Sequence, residues 1–171
     1  CDTVGSIQSS LAVPILDLLS PQHVLANVAA ADKAQLLEQL AAMLAGSSAE
    51  QRLIGEALNS REKLGSTGIG RGVAIPHGRV PGLDRARAVL LRLSSPLDFN
   101  ALDGLPVDLV AAMAVPEHNP EQHLQLLAEL AEMFSDSRLT TAMRQAQDSG
   151  ELQAELAEFS RNRPKSPPWT D

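Results

Sequence analysis

Two histidines and one arginine in this chain stand where side chains can do chemistry. His77 follows the short apolar run Val73-Ala74-Ile75-Pro76 and precedes Gly78. Pro76 fixes its own φ and drives Ile75 toward an extended conformation, while Gly78 admits backbone geometries closed to other residues. The pattern therefore predicts a stiff strand-to-loop junction that presents an imidazole. Arg61 lies three and four residues beyond Leu58 and Ala57 and continues the inward stripe of a predicted helix. His123 falls in the first turn of another predicted helix, on the face of Leu126, Leu127 and Leu130, beside the positive end of the helix dipole where anions are stabilised. A neutral imidazole, with a reference pKa of ~6.5, is a nitrogen nucleophile at neutral pH. Taken singly, each residue has a structural explanation: a helix C-terminal contact for Arg61, a capped and partly buried helix position for His123. Taken together, they suit covalent capture of one phosphoryl group, with His77 as acceptor, Arg61 as a planar clamp and His123 as a further hydrogen-bond donor. Such chemistry needs no cofactor, and backbone N–H groups near Gly78 are placed to assist.

The elements that must position these residues can be read from periodicity. A strand is predicted around Val24, Ala26 and Val28, followed by Asp32 as N-cap of a helix carrying Leu37, Leu40, Ala41 and Leu44 and ending at Gly46. A second helix starts near Ser48 and buries Ile54, Ala57 and Leu58. After a glycine-rich hairpin over Gly65–Gly72 come three buried strands, Val73–Ile75, Ala88–Leu93 and Val107–Val115. Asn119, Pro120 and Gln122 announce a helix with an N-cap, a first-turn proline and a capping box; it buries Leu126, Leu127, Leu130 and Phe134. Two short helices follow, around Leu139, Ala142 and Met143 and around Leu152, Leu156 and Phe159. Strands interleaved with helices predict an α/β fold, a three-layer sandwich with helices on both faces of a sheet. The expected organisation is a flexible segment over 1–14, one domain over 15–159 and a disordered tail over 160–171.

Composition excludes several alternatives. The 171 residues carry a net charge of −7, unlike a nucleic-acid binder. Between Arg61 and Arg92, however, seven basic side chains face two acidic ones, so this segment is +5 and the remainder −12, a distribution suited to an anionic ligand. With three Phe, one Trp and no Tyr, base-stacking sites are hard to build. The Gly65–Gly72 loop precedes a strand, whereas phosphate-cradling loops follow one and open a helix, so nucleotide binding is not expected. His118 and His123 are five residues apart, off one helical face, and Cys1 is the only cysteine, so no metal site is expected. No Gly-x-Ser-x-Gly elbow supports a serine hydrolase. No apolar run approaches the roughly 18–20 residues of a membrane span, and a lone cysteine without a leader pattern makes a cytoplasmic location the expectation.

The stretch Arg-Glu-Lys-Leu-Gly-Ser-Thr-Gly-Ile-Gly (61–70), followed by Val-Ala-Ile-Pro-His-Gly (73–78), closely resembles the enzyme IIA domains of the bacterial phosphoenolpyruvate-dependent phosphotransferase system, fructose/mannitol class. Phe-Asn-Ala-Leu-Asp-Gly-Leu-Pro-Val-Asp-Leu (99–109), Val-Pro-Glu (115–117) and His123-Leu124 also fit, and the chain is most similar to the nitrogen-regulatory branch of that class. The resemblance implies a mixed central sheet, phosphorylation on His77, supporting roles for Arg61 and His123, and a place at the site for Thr67. It implies an HPr-like phosphocarrier (NPr) as donor and regulatory targets among potassium-transport or sensor-kinase components, with no nucleic acid and no membrane insertion. The motif, and the lack of IIB or IIC segments in these residues, favour a regulatory carrier over a stand-alone sugar-specific IIA component that hands its phosphoryl group to a IIB domain.

Overall fold

Alternation along the central parts of the two longest strands decides the architecture. The computed structural model describes residues 14–162. Along β5 (Arg87–Leu97), Ala88 and Leu90 enter one apolar cluster while Val89, Leu91 and Leu93 enter another. On β6 (Val107–Pro116), Leu109, Ala111, Met113 and Val115 face the first cluster, and Val110, Ala112 and Ala114 the second. Strands apolar on both faces need cover on both. Helices α1 (Ile15–Leu18), α4 (Pro120–Phe134), α5 (Ser137–Gln145) and α6 (Ser149–Asn162) supply it on one side; α2 (Lys33–Leu44) and α3 (Ser48–Leu64) supply it on the other. The result is the expected three-layer α/β/α sandwich.

The sheet is mixed. Its order is β1 (Val24–Val28), β5, β6, β3 (Val73–Ala74), β2 (Gly68–Gly70), and β4 (His77–Val80) also pairs with β6. β1 runs parallel to β5, β5 antiparallel to β6, and β3 and β4 both parallel to β6. β2 and β3 form an antiparallel hairpin joined by Arg71 and Gly72, with φ of 58° and 77°. Two consecutive positive φ values are what the tight twist of a two-residue hairpin turn requires.

Helix starts follow the predicted caps: the Asp32 carboxylate accepts from the Gln35 N–H at 2.8 Å, and Asn119 Oδ1 accepts from the Gln122 N–H at 3.2 Å with Pro120 in the first turn. The Asn119 N–H donates to the Pro116 carbonyl at 3.3 Å, in place of the reciprocal capping-box bond to Gln122. Helix α6 runs to Asn162, so the expected tail start at Ser160 falls inside it. The rest of that tail, and Cys1 with the expected flexible segment up to residue 13, lie outside the described residues.

Two expectations around His77 are corrected. His77 does not stand between a strand and a loop: it opens β4, which resumes the edge of β6 that β3 began. Val73 pairs with Leu109 and His77 with Met113, the same offset on both sides, so the break inserts no residue. Pro76, lacking an N–H, interrupts the ladder, and its carbonyl still accepts from the Met113 N–H at 3.0 Å. Gly78, in turn, is absent from the residues with positive φ. Glycine is needed there because a Cβ would lie 2.8 Å from the Ala57 Cβ and 2.9 Å from the Ala57 backbone carbon, so α3 packs directly on the β4 backbone. Gly78→Ala is therefore expected to cost about 1–3 kcal/mol by overpacking. Urea unfolding measures it, and a loss below about 0.5 kcal/mol would mean that α3 yields freely, as at an ordinary surface site.

Candidate functional site

An open cavity of about 730 Å³ lies where the C-terminal half of α3, the start of β4 and the N-terminus of α4 meet. His77, Arg61, His123 and Gly78 all line it, joined by Arg79, Glu117 and Glu56. Residues from three separate stretches of sequence thus share one depression. β4 delivers His77 by continuing the β6 edge, the last turn of α3 delivers Arg61, and the capped first turn of α4 delivers His123.

The His77 ring is buried, with 8% of the residue exposed, and its Nδ1 lies 2.7 Å from the Ile75 carbonyl. A carbonyl oxygen only accepts, so Nδ1 carries the proton and Nε2 keeps the lone pair. The His123 ring packs edge-on to it, with centroids 5.0 Å apart and planes at 61°. His123 Nε2 is buried and lacks a hydrogen-bond partner among the described residues. A buried polar atom without a partner is rare in folded proteins, and here it borders a cavity that a ligand could fill.

Electrostatics keep both imidazoles neutral. Burial pushes His77 below the usual histidine value, Arg61 pushes the same way, and the Ile75 carbonyl and the Glu62 carboxylate partly oppose them. His123 has no such opposition: burial, then repulsion from His77, Arg79 and Arg61, lowers it to about 4. The ring with less burial therefore has the deeper depression. Arg61 donates from Nη1 to the Gly65 carbonyl at 2.9 Å, which holds the guanidinium against the end of its own helix and leaves its other N–H groups for a ligand.

Thr67 does not line the cavity. It is buried, and both its N–H and its hydroxyl donate to Glu62, the hydroxyl at 2.6 Å. Arg79 and Glu117, on the other hand, line the cavity without having been singled out from the sequence. For Arg79 the signal was present: two residues beyond His77 on a strand, a side chain returns to the same face. Among the described residues no group of three or more His, Cys, Asp or Glu is placed to hold a metal ion, and no helix is long and apolar enough to cross a membrane.

Comparison with known proteins identifies the family. The family described as phosphoenolpyruvate-dependent sugar phosphotransferase system, EIIA 2, matches residues 17–159. A nitrogen regulatory protein of Bradyrhizobium diazoefficiens is 38% identical over 146 residues, covering 85% of this chain and 95% of its own length. One from Pseudomonas aeruginosa is 43% identical over 131 residues, covering 75% and 85%. The crystal structure of nitrogen regulatory protein IIA-Ntr from Neisseria meningitidis superposes with a TM-score of 0.74 at 35% identity, over 83% of this chain and 98% of that one. The chain belongs to the EIIA type-2 family of the phosphotransferase system and, within it, is similar to the nitrogen regulatory IIA proteins.

Proposed function

We propose that this protein is a phosphohistidine carrier of the nitrogen-related phosphotransferase system, accepting a phosphoryl group on His77 Nε2 from a phosphorylated HPr-like carrier (NPr) and regulating target proteins according to its phosphorylation state. The observation that carries this reading is the hydrogen bond from Nδ1 to the Ile75 carbonyl, which leaves Nε2 as the one basic nitrogen of a ring bordering a cavity with Arg61 and His123. Kinship with the nitrogen regulatory proteins supports the regulatory half.

Phosphoryl transfer is chiefly a matter of alignment and of donors that meet charge on the equatorial oxygens. The Nε2 lone pair forms the new N–P bond as the N–P bond to the carrier's imidazole breaks, and that imidazole leaves. Arg61 offers its remaining N–H groups as a planar fork to the equatorial oxygens. His123, neutral at pH 7, donates one hydrogen bond from Nε2, the nitrogen that lacks a partner among the described residues. The positive charge that develops on the His77 ring is shared with the Ile75 carbonyl through Nδ1–H. The phosphoryl group then brings about −1.5 to −2 charges to this surface, enough to favour one set of target contacts over another.

Incubation with phosphoenolpyruvate, enzyme I and the HPr-like carrier should add one acid-labile phosphoryl group by intact mass, and none to His77→Ala. Labelling of that variant would refute the assignment. His123→Ala and Arg61→Lys should each slow transfer by about 10-fold or more, since each removes donors aimed at the transferring group. Wild-type rates would remove the residue concerned from the site. Onward transfer to a sugar-specific IIB domain would place the chain in transport rather than regulation.

Acidity gives an independent check. Both histidines titrate below the unfolded value of ~6.5, so on acidification from that value the unfolded chain binds more protons and stability falls, down to about pH 4 for His123. An NMR titration of the ring protons should show a His77 midpoint below 6.5 and a His123 midpoint about 4. A midpoint at or above 6.5 for His77 would contradict a buried nucleophile held neutral.

A further inference from the structure

Glu62 is the most heavily engaged carboxylate near the cavity, and it does not line it. Only 6% of its side chain is exposed. It accepts from the Thr67 N–H at 3.2 and 3.3 Å and from the Thr67 hydroxyl at 2.6 Å, and it pairs with Lys33 Nζ at 3.0 Å, whose ammonium sits 5.4 Å from the centre of the Phe99 ring. Burying a carboxylate is costly unless it is paired and hydrogen-bonded, and these contacts meet that condition. What they hold in place is Thr67. The Thr67 carbonyl accepts from the Ile75 N–H at 3.0 Å, and the Ile75 carbonyl accepts from His77 Nδ1–H at 2.7 Å. A series of bonds therefore runs from the Lys33–Glu62 pair through Thr67 and the backbone of Ile75, whose N–H and carbonyl lie in successive peptide planes, to the imidazole. The same turn carries Gly65, whose carbonyl anchors Arg61.

We propose that Glu62 is a positioning residue for phosphoryl transfer: by clamping Thr67 it anchors the backbone of Ile75, whose carbonyl is thereby held toward the ring, and so fixes His77 in the Nδ1–H tautomer with Nε2 facing the donor. This rests on His77 being the phosphoryl acceptor. It also assigns Thr67 a role through Glu62 and Ile75 in place of contact with the phosphoryl group. Displacing a nucleophile by a fraction of an ångström to 1 Å costs up to about 100-fold in rate, which makes an indirect residue of this kind visible in kinetics.

The test combines two readouts. Histidine ¹⁵N NMR of the unphosphorylated protein should show His77 as Nδ1–H in wild type and as a mixture of tautomers in Glu62→Ala. With phosphoramidate as donor, which transfers its phosphoryl group to Nε2 and releases ammonia without needing a docked carrier, Glu62→Ala should label about 10- to 100-fold more slowly. Glu62→Gln, whose amide oxygen still accepts from Thr67, should recover most of the rate and the single tautomer. A folded Glu62→Ala with a wild-type rate, or with the Nδ1–H tautomer intact, overturns the proposal. Should Glu62→Ala fail to fold, Thr67→Val removes the hydroxyl bond alone; it should slow labelling several-fold and mix the tautomers, and an unchanged spectrum or rate overturns the proposal equally. Failure of wild type to be labelled on His77 would instead remove the carrier reading, while the tautomer comparison would still decide whether Glu62 orders the ring.

Discussion

One hydrogen bond, from His77 Nδ1 to the carbonyl two residues earlier, organises the rest of the site. It exists because the edge of β6 is occupied in two pieces. β3 and β4 keep a common offset along that edge, and between them Pro76 breaks the ladder, leaving the Ile75 carbonyl to the imidazole. A bond of this kind is worth about 1 kcal/mol net, enough to bias a two-tautomer equilibrium about fivefold. Burial and the aligned peptide strengthen that bias. A proline, a glycine that lets α3 press against β4, and a buried strand pair thereby become a device for exposing one particular nitrogen.

The electrostatic design works in the same direction. Positive charge from Arg61 and Arg79 lines a cavity with two rings that burial already keeps unprotonated, so cationic donors stand beside neutral imidazoles. His123 follows the same logic: burial first, then His77, Arg79 and Arg61, keep its ring neutral, and its buried Nε2 has no hydrogen-bond partner among the described residues. The acidic Glu56 and Glu117 share the cavity and offset part of its positive charge. Membership of the EIIA type-2 family accords with a phosphotransferase component, and a site with such guarded charge suits one that exchanges its group with other proteins.

Much of this was legible in the sequence where a local rule had no competitor. An alternating run marked β1, buried apolar runs marked β5 and β6, helical spacing marked the faces of α2 and α4, and Asp32 and Asn119 announced their helices by short-range capping. Four residues from distant stretches, Arg61, His77, Gly78 and His123, were read toward a common site and do line one cavity. The misreadings share a physical origin. Gly78 suggested a turn because positive φ is the commonest reason for glycine, yet it answers to a tertiary contact with Ala57 that no local pattern encodes. β4 was hidden because four residues after a proline carry little periodicity of their own; their strand character comes from β6. Thr67 was placed at the phosphoryl site by resemblance, but its hydroxyl is taken by Glu62, a pairing across five residues that only the folded turn creates.

The central claim is that the protein directs chemistry to Nε2 of His77 by holding a proton on Nδ1. The most direct measurement is the regiochemistry of the phosphorylated protein, read from the one-bond ³¹P–¹⁵N coupling on ¹⁵N-labelled histidine. The account requires that coupling on Nε2 of His77, with the proton still on Nδ1. Phosphorus bonded to Nδ1, or to any other residue, would contradict it.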